Sequence, residues 1–276
     1  MKSEFGKYGP VDDEFVIAFR GKRDIQVWRG MAQSIGKVDH DKDFYYIDTG
    51  YFNGYDGTKH KEWHRITKNN YQVLSHVGYE EIKKIANASY PEDKWRKVFN
   101  QSYHSYKPKE QQDGDKIMMI EPSLKIFKHY NIDNEQWQRS VISKLRNYTD
   151  REIIFRSKPS RRERLSSNRL EDQLRKDKIF CTITFASVAG LHSVMAGVPA
   201  IVLGPSAGDY LSNKNISDIE NPYFPDGDKI REHLFFLTQC QFNIEEIKNG
   251  TAWWYINELQ GENKYEKDKG VVSTTE

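Results

Sequence analysis

Cysteine is nearly missing from this chain, with two residues in 276, Cys181 and Cys240. That count excludes a disulfide framework, and the usage points to a cytoplasmic protein. Long apolar runs are missing too. No stretch approaches the roughly 18 residues of a membrane span, and the first residues, MKSEFGKYGPVDDEF, lack the apolar core of a signal peptide. No membrane partner is therefore expected. Charge of one sign is equally scarce: 42 basic and 40 acidic residues leave a formal +2, which argues against a uniformly basic nucleic-acid coat. No internal repeat or low-complexity tract occurs. His60-x-Glu62-x-His64 has the wrong spacing for a zinc helix, and Gly204 to Gly208 lacks the Gly-Lys-Ser/Thr ending of a Walker loop. No carboxylate cluster demands a metal, so none is expected to be obligatory.

What is present suffices for a packed core: 37% hydrophobic and 13% aromatic residues. The length favours two domains slightly over one. The most informative stretch runs from Arg151 to Gly208. Glu152-Ile-Ile-Phe155 reads as a strand ending in Arg156-Ser-Lys158-Pro159, two cations at a strand's carboxyl end. Ile179 to Phe185 is a β-branched apolar run, the pattern of a parallel strand buried on both faces. Small residues follow, then Leu191, Val194 and Met195 at helical spacing, Gly197 and Pro199 as a stop, and a second apolar strand over Val198 to Leu203. The carboxyl edge of such a sheet is where α/β proteins hold anionic ligands. Thr184 and Ser187 add hydroxyls there, and Pro205 and Ser206 lie in the turn after the next strand. Together these residues suggest a pyrophosphate cradle.

Elsewhere Phe15 to Phe19 and Asp43 to Asp48 read as strands, Ile25 to Ser34 as a helix, and Trp63 to Thr67 as a short strand. Tyr79 to Phe99 is helical around an interruption at Pro91. Lys107 to Asp115 is polar and reads as a linker. Lys116 to Ile120 is a strand and Asn134 to Asn147 a helix capped by Asp133 or Asn134. Two amphipathic helices follow, Lys229 to Leu237 and Ile244 to Leu259. The division is thus an N-terminal α/β domain over 1–110, a C-terminal one over 116–260, and a charged tail over 261–276. The run from Arg156 to Arg175, seven basic residues against three acidic, is a solvated helix or a phosphate track. Trp253-Trp254-Tyr255 reads as core or, alternatively, as a base-stacking surface.

Asp48 ends a strand of the first half, at the edge expected to face the second. It is the candidate catalytic base, with Asp24 and Glu62 as alternatives; an Asp-Thr-Gly turn explains it equally. Tyr51, Phe52, His64, Arg65 and Asn69 form a candidate acceptor wall, where aromatics would stack on an extruded base.

The second half resembles the nucleotide-sugar-binding domain of glycosyltransferases with two facing Rossmann-like domains, the GT-B architecture. The resemblance rests on Arg156-Ser-Lys158-Pro159 and on Thr184 to Pro199, a Ser/Thr turn and a helix closing in Gly-x-Pro. It implies an interdomain cleft, with a nucleotide sugar, UDP-linked by expectation, held by Arg156, Lys158, Thr184, Ser187, Pro205 and Ser206. The usual pattern has a ribose-binding glutamate where this chain has His192. A closer resemblance covers most of the chain. DTGYF, HRITKNNYQ, TDREIIFRSKPSRRER, TFASVAGLHSVMAGVPAIVLGPSAG and CQFNIEEIKNGTAWW are similar to a family of tailed-phage proteins. Relatives in that context glycosylate hydroxymethylated pyrimidines in phage DNA. What this implies is a DNA-modifying glycosyltransferase of the infected cell's cytoplasm, with double-stranded DNA as partner. A glycan or small-molecule acceptor, an epimerase and a non-catalytic relative are the competing expectations.

Overall fold

The computed structural model describes residues 26–30, 37–52, 63–71, 92–158, 169–254 and 256. Its described residues build a mixed α/β protein around two four-stranded sheets.

The first sheet has the order β1-β2-β3-β8. Strand β2 (Phe44–Thr49) is buried from Phe44 through Ile47, because aromatic and β-branched side chains load both of its faces. It pairs in parallel with β1 (Gln26–Arg29) and antiparallel with β3 (His64–Lys68). Gly50 N–H donates to the Trp63 carbonyl (2.9 Å), which continues the antiparallel ladder past the strand ends. The edge is completed by β8 (Gln241–Phe242), antiparallel to β3. Two expectations change here. The helix expected over Ile25 to Ser34 is a strand across 26–29. The five apolar positions in those ten residues fit no single helical stripe, since Val27 breaks the spacing of Ile25, Trp28 and Met31, and pairing with the buried β2 decides the conformation. A parallel, Rossmann-like first half is instead a mixed sheet, one of whose strands comes from beyond residue 240. The strand expected at Phe15 to Phe19 lies outside the described residues, as do Asp24, Glu62, 72–91 and the tail.

The second sheet is parallel throughout, in the order β5-β4-β6-β7. Its strands are β4 (Lys116–Ile120), β5 (Ile153–Arg156), β6 (Ile179–Thr184) and β7 (Ala200–Val202). The described helices are α1 (Asp93–Phe99), α2 (Leu124–His129), α3 (Asn134–Leu145), α4 (Leu170–Lys176), α5 (Ala189–Met195), α6 (Gly227–Gln239), α7 (Ile244–Lys248) and α8 (Thr251–Trp254). Asp133 caps α3 by accepting from Gln136 N–H (2.8 Å), and Trp137, Val141 and Leu145 are its buried stripe, as their spacing of four requires. The helix expected over Ile244 to Leu259 is broken after α7, where Gly250 takes φ +85°. Trp253 packs its ring 5.2 Å from Tyr45, on the core side.

Two apolar cores draw on both sheets. One joins Phe44, Tyr46 and Tyr71 to Ile117, Met119 and the faces of α2 and α3. The other joins Tyr51, Phe52 and Trp63 to α1, α5, β7 and α6. The segment over Lys107 to Asp115 has no regular structure, yet it is clamped rather than loose. Gln112 N–H donates to the Gly197 carbonyl (2.9 Å) and Asp115 N–H to the Lys178 carbonyl (2.9 Å). Gly197 has φ +91°, and a Cβ there would stand 2.5 Å from the Glu110 carbonyl oxygen. Gly197→Ala is therefore expected to cost about 1–3 kcal/mol through the forced contact, read as a lower urea midpoint with an unchanged slope.

Candidate functional site

Cross-strand pairing aligns Asp48 with Arg65 and Arg65 with Gln241. Directly opposed residues present their side chains on one face, so these three form a row across β2, β3 and β8. Tyr46, two residues before Asp48, shares that face. Asp48 Oδ2 accepts from the Tyr46 hydroxyl (2.6 Å) and from Arg65 Nη2 (3.2 Å), and Oδ1 accepts from Thr49 N–H (2.8 Å). The Arg65 side chain is 9% exposed and that of Asp48 is 31% exposed, so the pair is buried on one side and reachable on the other.

Burial pushes the Asp48 carboxyl up, but Arg65, the two hydrogen bonds and the Lys158 ammonium outweigh it, and its pKa lies below the ordinary carboxylate value. Arg29, at the end of β1, is also within electrostatic reach of Asp48. Arg65 thus contacts the carboxylate directly, Lys158 acts on it through its charge, and Arg29 acts from the other face of the sheet, where it is paired with Ile47 and bonds His64. Lys158 follows β5 of the second sheet, so a candidate donor residue lies within electrostatic reach of a candidate acceptor-side carboxylate.

His192 provides a second meeting point. It lies on α5, and its Nε2–H donates to the Tyr51 carbonyl (3.3 Å). Because that carbonyl only accepts, the proton sits on Nε2 and the lone pair on Nδ1. Burial lowers the imidazole pKa and the Tyr51 hydrogen bond only partly restores it, so the ring is neutral at pH 7.

The remaining candidates are placed differently. Arg156 ends β5, is 8% exposed and donates through Nη1 to Gln173 Oε1 of α4. Lys158 is exposed. Ser187 lies in the turn before α5, where its Oγ accepts from Ala189 N–H (3.2 Å). Pro205 is half-buried in the turn after β7. Thr184 is fully buried, its hydroxyl donated to the Ile120 carbonyl (3.0 Å). Ser206 is fully buried as well and donates to the Ser187 carbonyl (2.8 Å). In this conformation those two hydroxyl hydrogens join main-chain segments of the second sheet's edge instead of pointing outward.

Tyr51 and Phe52 are 2% and 7% exposed, and Phe52 packs 5.1 Å from Phe99, so neither ring forms an open wall. His64 is buried on the opposite face of β3, where Arg29 Nη2 donates to its Nε2 (3.4 Å). Asn69, at φ +58°, accepts from Phe44 N–H (2.9 Å) and donates to Asp43 Oδ1 (2.9 Å). It thus closes the far end of β2, about 13 Å along the strand from Asp48. Tyr46 and Gln241 belong to the site and were not singled out from the sequence. Tyr46 carries a local signal, its i, i+2 spacing from Asp48. Gln241 is brought in only by strand pairing.

No group of three or more His, Cys, Asp or Glu side chains among the described residues is arranged to hold a metal ion. Nor is any described helix long and apolar enough to cross a membrane. No protein-family model matches the chain, and no curated protein sequence matches it. Among solved structures, the Thermosulfurimonas dismutans KpsC, a beta Kdo 2,7 transferase, is similar over 88% of this chain and 89% of that chain, at 12% identity and a TM-score of 0.44. At that distance the two chains do not match residue for residue.

Removing the Arg65 charge leaves Asp48 partly buried and unpaired. Arg65→Met is expected to cost about 3 kcal/mol, the low end for a broken buried pair because Asp48 is partly reached by water. Since the carboxyl pKa is depressed in the fold, its contribution is complete above the unfolded value of about 3.9 and is lost as pH falls through the folded one. Urea midpoints from pH 7 down to pH 2 should therefore fall less steeply below pH 4 in Arg65→Met than in the wild type.

Proposed function

We propose that the protein transfers a sugar from a nucleotide sugar to a hydroxyl group, using the junction of Asp48, Arg65, Lys158 and His192. The observation that carries this reading is the placement of Lys158, just past the carboxyl end of parallel strand β5, within electrostatic reach of Asp48 near the end of β2. That edge is where α/β sheets take anionic ligands, and the cations there suit a diphosphate. The motif resemblance given above supports the same class and makes a hydroxymethylpyrimidine in DNA the first acceptor to try.

In the proposed reaction the acceptor oxygen attacks the anomeric carbon and the bond from that carbon to the phosphate oxygen breaks. The nucleoside diphosphate leaves with the bonding pair. Arg156 and Lys158 offset its charge as it leaves, and no metal is required by this account. A base takes the acceptor's proton, and a single in-line displacement inverts the anomeric centre.

Asp48 is the base expected from sequence. Its oxygens already accept three hydrogen bonds and its pKa is depressed, which makes it a weak base. That observation favours a second reading in which His192 Nδ1 takes the proton and Asp48 orients Arg65 and Lys158. The two differ in pH dependence. If His192 is the base, kcat falls on the acid side at a pKa below the ordinary imidazole value of about 6.5. If Asp48 is the base, that limb lies below the carboxylate range and His192→Gln retains transfer.

The direct test is incubation with a panel of nucleotide sugars and duplex DNA carrying hydroxymethylcytosine, read by nucleoside mass spectrometry. A hexose or pentose mass on the modified base is the expected result. Binding without added mass for any acceptor, glycans included, would replace the transferase with a nucleotide-binding protein. Lys158→Ala is expected to weaken nucleoside diphosphate binding by about tenfold, the worth of one charge-assisted contact. Loss of the base is expected to lower kcat by about 10²–10⁴ while leaving donor affinity within a factor of about two.

A further inference from the structure

The path of the chain through the second sheet marks one point on its carboxyl edge. From β4 the chain passes through α2 and α3 to β5, which lies on one side of β4. From β6 it passes through α5 to β7, on the opposite side. The two connections therefore part between the carboxyl ends of β4 and β6. Open α/β sheets hold their ligands in the crevice at such a parting. The first residue past β4 there is a carboxylate, Glu121.

Its position is fixed by three neighbouring elements. Ile120, the residue before it, is paired with Arg156 of β5 and with Thr184 of β6, whose hydroxyl donates to the Ile120 carbonyl (3.0 Å). Glu121 N–H donates to the Arg156 carbonyl (2.9 Å). Gln138 of α3 donates through Nε2 to Glu121 Oε1 (2.5 Å) and to Asn134 Oδ1 (3.2 Å), which orients the carboxylate. Glu121 is half-buried, and it forms no ion pair with any side chain among the described residues. An acid thus stands one residue past the strand pairing that also places Arg156.

We propose that Glu121 holds the ribose of the nucleotide sugar, accepting hydrogen bonds from its 2′- and 3′-hydroxyls. The inference rests on the donor site proposed above. An ionised carboxylate only accepts hydrogen bonds and repels a diphosphate, so its partner is a neutral group that donates. On a nucleotide sugar the diphosphate stands between two such groups, the ribose and the sugar to be transferred. The transferred sugar lies toward Asp48 and His192, where the acceptor attacks. With the diphosphate on Arg156 and Lys158, the ribose is the end that stays over the second sheet, next to the residue Glu121 bonds. Thr184 and Ser206, the hydroxyls expected at this edge, are fully buried and bond main chain, which leaves the ribose contact to Glu121. A site that spends a fixed acceptor on a substrate hydroxyl rejects the analogue lacking it. Glu121 therefore sets a preference for ribonucleotides over deoxyribonucleotides.

Glu121→Gln removes the charge and keeps an oxygen to accept from Gln138, so the fold is retained. The test is calorimetric titration of wild type and variant with UDP, CDP, GDP and ADP, their 2′-deoxy counterparts, and inorganic pyrophosphate. The wild type is expected to bind its preferred ribonucleotide about tenfold more tightly than the 2′-deoxy form, the worth of one hydrogen bond to a charged group. In Glu121→Gln the preference shrinks to about threefold or less, the worth of a neutral bond, while pyrophosphate affinity does not fall. Equal affinity for the two forms in the wild type, or pyrophosphate weakened in step with the nucleotide in the variant, overturns this inference and leaves the donor site standing. Failure of the wild type to bind any of the nucleotides overturns the donor site and this inference with it.

Discussion

The ion pair between Asp48 and Arg65 is the interaction on which the rest of the site depends. It lies on the face of the first sheet that turns toward the second, with one partner sunk in the core and the other half open to water. Replacing such a pair by apolar groups would cost the fold little, whereas breaking it strands a charge. Its value is therefore positional. With Asp48 held by Arg65, Tyr46 and the Thr49 amide, the carboxylate is fixed in place within electrostatic reach of Lys158, and Arg65 stays over the Tyr51 ring.

The two apolar cores hold that arrangement in place. Phe44, Tyr46 and Tyr71 pack into the side chains of β4, α2 and α3, and Tyr51 and Phe52 into those of α1, α5 and α6. The polar row across β2, β3 and β8 sits beside these contacts, so packing from both sheets sets the relation between its members. Thr184 and Ser206 serve the same end from the other side. Their hydroxyls bond main chain within the second sheet's edge and keep the turns before and after α5 in register.

Much of the fold is legible in the sequence, for a physical reason. Strands β2, β4, β6 and β7 are short apolar runs because both of their faces are covered, and Asp133 with the Trp137, Val141, Leu145 stripe marks α3 at both levels, cap and face. β1 is not legible, since four residues with one fully buried side chain carry no period of their own. β8 is two residues long and becomes a strand only because β3 offers it a free edge. The site divides along the same line. Asp48 and Lys158 stand out as charged groups at the ends of apolar strands. Gln241 is 176 positions from Arg65 in the chain, and only pairing puts the two side by side. The burial of Tyr51 and Phe52, two candidates for an acceptor wall, is not legible either, because an aromatic pair after a strand looks the same in sequence whether it faces solvent or core.

Amide hydrogen exchange with and without UDP tests the central claim most directly, namely that the end of β5 and the end of β2 form one anion site. The account predicts slowed exchange in 156–158 and in 48–51 together, saturating at one nucleotide concentration. Protection confined to either segment, or none with any nucleoside diphosphate, would contradict it.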